Sequence, residues 1–314
     1  MGASESSTPA EVGSAHRGAG DVGAAGPTGE RTTVRMAVAC AVVGILVAVA
    51  LVLVANRAFA SGAVTDGHLQ TLLAYGATWV PMLLAVAIFA LARRGRGVRG
   101  LLGIRFGVID LLWGAAIGML ARFVAAGVSL ALYGTTGLVG QPTVGGVDGW
   151  YVFGALIAPV VIAPLVEEGF FRGLMQGALV RWFAGAGGSG GAAVAAVAGG
   201  SAGAAGSAGS VGTGVAGSAA AAGSVGTAAA GSAGAARSVA RTTAVFGIGV
   251  TTVVFVAVHL IGVTSTADAL AIGAPLLVFA VAAGASRVLT GRIGAAVIGH
   301  IVFNGVAVLL TWPW

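Results

Sequence analysis

Met36–Ala55 (MAVACAVVGILVAVALVLVA) carries no charged side chain over 20 residues. That is the length at which a helix crosses the hydrocarbon core of a bilayer, about 20 residues at 1.5 Å each. It is one of several such runs, and this repetition limits the chain to the folds a membrane permits. Only 8% of the 314 residues are charged and the mean hydropathy is +0.99. A soluble domain is about 25% charged, and a chain this apolar would expose too much hydrocarbon surface to stay dissolved. An ordinary cytosolic globule, a disordered chain and a nucleic-acid binder are all excluded on this count. All 16 basic residues are Arg. They flank apolar segments, so they read as membrane-orientation signals rather than as a nucleic-acid surface.

The expected fold class is an all-α polytopic membrane protein of seven to eight transmembrane helices around an intramembrane cavity. The runs are Met36–Ala55, Leu72–Ala92, Asp110–Leu132, a long or broken segment Trp150–Phe183, Thr243–Val263, Ala269–Leu289 and Ile293–Leu310. Pro159 and Pro164 are candidate break points in the fourth. Residues 1–35 are polar and expected as a disordered cytoplasmic tail. Ala58-Phe59-Ala60 resembles a signal-peptidase site, but the run before it exceeds a signal core and follows a polar tail, so it reads as an uncleaved first span. Arg93, Arg94, Arg96 and Arg99 form the densest basic cluster, which places that end of the second span, and hence the N-terminus, in the cytoplasm. The single Cys40 lies inside the first run and permits no intrachain disulfide.

Glycine is abundant, 55 residues, and much of it is concentrated in 184–236, which contain only Ala, Gly, Ser, Val and Thr. Gly costs roughly 1 kcal/mol per helix position relative to Ala, and these side chains are too small to anchor a helix in lipid. The segment therefore reads as a flexible cytoplasmic insertion rather than a span. The expected organisation is a tail (1–35), N-terminal transmembrane helices (36–149) and a core (150–314) interrupted by the insertion.

Ionisable groups inside such runs are costly and mark functional sites by default. Beyond Arg122 they are Glu167, Glu168, Arg172, His259 and His300, with Asn304 as a companion amide. Glu168 and Arg172 are four apart and share a helix face, so they can pair. Glu167 lies about 100° round the same helix and points elsewhere. His300 and Asn304 share a face, as do Phe255 and His259. Three helices can each bring a polar face to one cavity. Measured from Arg241 and Arg292, however, the two histidines lie about 27 Å and about 12 Å along their helices. Either the fifth span begins later, near Phe246, or it tilts or breaks.

Glu167-Glu168-Gly-Phe-Phe-Arg172 fits EExxxR, Phe255-Val-Ala-Val-His259 fits FxxxH, and His300-Ile-Val-Phe-Asn304 fits HxxxN. In this order and on apolar helices, the three motifs resemble the CPBP family of intramembrane proteases. That family includes the CAAX prenyl endopeptidases and bacteriocin-processing or immunity proteins. The resemblance covers about Trp150–Leu310, and residues 1–149 add spans but no motif. It implies an intramembrane endopeptidase in a bacterial plasma membrane. Its partners would be a peptide or protein substrate, membrane-associated or lipidated, and the bilayer, with no nucleic acid.

One Arg neutralises one carboxylate, so Glu168 is expected to pair with Arg172 and Glu167 to act as general base on a water held with His259. His300 and Asn304 would donate to the developing oxyanion. Phe255 is expected to pack rather than react, and Asp110 to sit at the cytoplasmic end of the third span. Two His and one Glu are also a three-ligand set for a divalent metal such as zinc. The sequence lacks HExxH, and a glutamate-activated water needs no metal, so the question stays open. Two alternatives remain at this level: a transporter using Glu167, His259 and His300 as a proton relay, and a non-catalytic bacteriocin-immunity protein. Asn304, one turn after His300, suits an oxyanion donor better than a proton carrier.

Overall fold

The computed structural model describes residues 27–93, 98–136, 138, 147–186 and 222–312. Residues 1–26 of the expected tail, 187–221 of the expected insertion, and Arg94 and Arg96 of the basic cluster lie outside the described residues. Among the described residues every regular element is helical, and seven helical segments are long and apolar enough to cross a membrane. The protein is an integral membrane helix bundle.

In chain order the elements are α1 (Pro27–Ala60), α2 (Gly67–Ala92), the short α3 (Val98–Leu102) and α4 (Val108–Tyr133). A continuous but irregular segment follows, made of α5 (Gly149–Val152), a π-helical stretch Phe153–Ile162, α6 (Ala163–Glu168), a second π-helical stretch Gly169–Met175, and α7 (Gln176–Ala186). Then come α8 (Ala222–His259), α9 (Thr266–Thr290) and α10 (Gly294–Thr311). Two helices start nine or more residues before the expected points. α1 takes in residues 27–35, and α8 takes in the end of the Ala/Gly/Ser segment. In each case a polar stretch continues the helix of the apolar run that follows it.

The fourth segment is wound, not broken. At Pro159 and Pro164 the ring removes a backbone donor; the register slips around Pro159, and it slips again over the proline-free Gly169–Met175. Ala163 N–H donates to Ala158 O and Gln176 N–H to Phe171 O, each five residues back. Such π turns cluster at functional sites. Here they bracket α6, whose last two residues are Glu167 and Glu168.

α4 and α10 pack in parallel through small residues. Gly118 lies against the backbone of Gly299, and a Cβ there would come within 2.8 Å of Val302 Cβ. Without a hydrophobic drive between helices in lipid, close backbone approach of this kind supplies the packing. At one end of the pair, fully buried Asp110 takes a two-pronged hydrogen bond from Arg292, 3.0 Å from Nε and 2.9 Å from Nη2, and accepts the Gly107 N–H at 2.7 Å. The carboxylate thus caps α4 and ties it to the start of α10, and its hydrogen bond raises the Arg292 pKa further.

The depth conflict between the histidines is resolved by the packing of α8 on α9. α8 is unbroken through its apolar part, and Ile248 meets Gly284, three residues before Arg287. The fifth span therefore comes level with the arginine end of α9 well after Arg241, near Phe246. Phe255, Phe279 and His300 then lie at one depth, with the Phe255 and His300 rings 6.2 Å apart and Phe279 and His300 5.0 Å apart. His259 ends α8 one turn beyond, and its ring leans back over Phe255 at 4.5 Å, the direction helical side chains favour.

Candidate active site

A cavity of about 730 Å³ opens among the spans. Glu167, His259, His300 and Asn304 all line it, so α6, α8 and α10 each contribute polar groups to one space. Glu168 and Arg172 sit behind it, fully buried.

Glu168 is the structural centre. Its Oε1 accepts from Arg172 Nη1 at 3.0 Å and from His300 Nδ1 at 3.0 Å. A carboxylate paired with Arg can only accept, so His300 carries its proton on Nδ1 and presents Nε2 on the opposite edge of the ring. Arg172 is also held by aromatic faces, with its guanidinium 4.3 Å from the Phe255 ring centre and 5.4 Å from that of Phe279. Phe171 meets Phe255 edge to face at 5.0 Å. Phe255 therefore packs, as expected, and what it packs is the cation of the motif.

Glu167 is left to face His259, with Oε2 3.6 Å from Nε2. That is too long for a hydrogen bond. His259 Nδ1 lies 2.7 Å from the Phe255 carbonyl oxygen, an acceptor, so Nδ1 must be the donor. In the neutral ring Nε2 is then a lone pair. In that state it and Glu167 Oε2, which is buried with no hydrogen-bond partner, are two acceptors that a group with two donors, such as water, would bridge.

Asn304 Nδ2 donates to the Pro159 carbonyl at 2.7 Å. In the five-residue register that carbonyl would receive the N–H of residue 164, and Pro164 has none. Asn304 replaces the missing donor across the helix interface. The expectation of Asn304 as an oxyanion donor is narrowed accordingly, since one of its two N–H bonds is committed to backbone and one remains for the cavity.

Helices α1, α2 and α4 also enter the site, which the motifs did not indicate. Trp79 of α2 and Arg122 of α4 line the same cavity. Tyr75 stacks on Trp79 at 4.4 Å, and its hydroxyl donates to Gly154 O at 2.9 Å, bracing the first π stretch. An apolar run with one Trp gives no sign of this. Arg122 was visible as a buried charge, costing about 3 kcal/mol at mid-membrane on an insertion scale, but had no motif to join.

A zinc ion requires three convergent protein ligands. Glu167 Oε2 and His259 Nε2 supply two candidate atoms. No third His, Cys, Asp or Glu converges with them among the described residues. As these side chains stand, they do not make the three-ligand set that zinc requires.

The model of the Rce1-like type II CAAX prenyl endopeptidase family matches residues 149–306, half of the chain. The chain belongs to this family. The matched region holds all three motifs and both π stretches, so the Rce1-like part of the chain is the part that builds the buried Glu168 centre and the Glu167–His259 pair. No curated protein and no solved structure matches the chain significantly. For this Rce1-like chain, membership supports an intramembrane protease of CAAX type acting on a peptide or protein substrate in a membrane.

Proposed function

We propose that the chain cleaves a CAAX-type, lipidated peptide within the membrane by direct attack of water, without a covalent intermediate. The carrying observation is the orphaned acceptor Glu167 Oε2, 3.6 Å from His259 Nε2, on two residues that line the cavity. A water donating one hydrogen to each turns its oxygen lone pair toward a bound peptide carbonyl. Glu167 takes a proton as the oxygen attacks the carbonyl carbon. The C–N bond then breaks, the amine leaves with that proton, and the new carboxyl group keeps the water oxygen.

Hydrogen bonding assigns His300. Glu168 holds its Nδ1–H at 3.0 Å, which leaves the Nε2 edge to the cavity, and a ring carrying its second proton would donate Nε2–H to the oxyanion with Glu168 stabilising the imidazolium. The second N–H of Asn304 assists. Glu168 and Arg172 position this donor. The arginine-flanked helix ends and the N-terminal side face the cytoplasm in this reading.

The test is cleavage of a farnesylated CAAX-type peptide by the full chain in lipid nanodiscs in ¹⁸O water. Direct attack places one ¹⁸O in the new carboxyl group, and no acyl-enzyme is trapped by hydroxylamine. A hydroxamate product contradicts the mechanism.

A further inference from the structure

Arg122 is a cation in the cavity wall without a carboxylate partner among the described residues. Its Nε and Nη2 both donate to the Phe303 carbonyl, and its guanidinium lies 4.0 Å over the Phe303 ring. These contacts fix the group without neutralising it. A backbone carbonyl accepts on one edge of the fork, and the ring covers one face. The other edge, formed by Nη1 and the second N–H of Nη2, keeps the geometry that binds a carboxylate through two parallel hydrogen bonds.

The position is informative. Phe303 follows His300 by three residues and precedes Asn304 on α10. At 1.5 Å per residue, the residue whose carbonyl holds the guanidinium thus stands about 4.5 Å along α10 from His300 and about 1.5 Å from Asn304. One or two residues of extended peptide span about that distance. α4 carries no motif residue, yet it delivers this one charge to the cavity, against the cost of keeping a cation there.

We infer that Arg122 is a specificity determinant that binds the C-terminal carboxylate of the peptide substrate. This rests on the proposed peptidase function. It makes the site a reader of chain ends: a peptide whose terminus is free places its carboxylate on Arg122 and its nearby amide carbonyl by Glu167 and His259. A peptide continuing past that point leaves the guanidinium buried and unpaired.

The test pairs equilibrium binding with cleavage. The probe is a fluorescent farnesylated CAAX-type peptide, prepared with a free C-terminal carboxylate and as its C-terminal amide. Each is titrated against the full chain in nanodiscs, in the wild type, Arg122→Gln and Arg122→Lys. The wild type is expected to bind the acid at least about ten-fold more tightly than the amide. Arg122→Gln should bind both equally, by weakening only the acid, and Arg122→Lys should restore part of the preference. A variant that fails to fold would lose both peptides alike, and retained amide binding guards against that outcome. Equal wild-type affinity for acid and amide, or a preference that survives in Arg122→Gln, overturns the inference. Acid-selective binding without cleavage leaves the inference standing and removes the peptidase reading. Cleavage without acid selectivity does the reverse, and absence of both binding and cleavage removes both.

Discussion

Removing the Glu168 carboxylate should damage the fold more than the catalytic base would suggest, and by a calculable amount. In Glu168→Ala two charged hydrogen bonds disappear, those from Arg172 Nη1 and His300 Nδ1, each at 3.0 Å. Each such bond contributes about 1.5–3 kcal/mol. Arg172, 1% exposed, is then a buried cation retained only by the faces of Phe255 and Phe279. Deleting one partner of a buried pair costs about 3–5 kcal/mol, because the other charge stays buried. The expected loss is therefore about 3–5 kcal/mol. Arg172→Met in the same background removes the stranded charge, so the double variant should be more stable than the sum of the singles by at least about 1 kcal/mol. Reversible denaturation in mixed micelles measures all four corners of the cycle. Additive losses within about 0.5 kcal/mol, the scatter of independent sites, would refute the assignment of Glu168 as the structural centre.

Asn304→Ala strands the Pro159 carbonyl and should cost about 1–3 kcal/mol. Pro164→Ala restores a backbone N–H in register and should return much of that loss, and a double variant no more stable than Asn304→Ala contradicts the register argument. Gly118→Leu should destabilise by about 1–3 kcal/mol or more through overpacking against α10. Gly127→Leu on the same helix, where an added Cβ meets nothing within 4 Å, should be close to neutral by thermal unfolding. In a Cys40→Ser background, Ser61→Cys should react with an impermeant maleimide added outside intact cells, and Arg99→Cys only after permeabilisation. The reverse pattern would invert the assigned topology.

The seven spans could be read from hydropathy because each apolar run must satisfy its backbone within a helix. The start Leu72 moves only to Gly67 and the end Leu132 only to Tyr133. The site residues could be singled out for the complementary reason, since each charge in a run is conspicuous. Their geometry was less accessible. The helical wheel treats the fourth segment as uniform, whereas its register slips twice and Pro164 leaves the Pro159 carbonyl to Asn304 as a replacement donor. Arc length from Arg241 misjudged the depth of His259, because the level of a helix is set by what it packs against, here Ile248 on Gly284. Trp79 and Arg122 reach the cavity only through tertiary packing, and neither spacing nor periodicity encodes that. Asp110 was visible as a lone acid, but its partner Arg292 lies 182 residues away.

The central claim is that Glu167 activates the attacking water and that the chain's own side chains suffice. Its most direct test is the rate of CAAX-type peptide cleavage in nanodiscs by wild type and Glu167→Gln, each with and without excess chelator. General-base catalysis is worth about 10²–10⁴-fold. The wild type should cleave at an unchanged rate in chelator, and Glu167→Gln should lose at least about a hundred-fold while still binding the peptide. Cleavage at near wild-type rate by Glu167→Gln, or its abolition in the wild type by chelator, would contradict the claim.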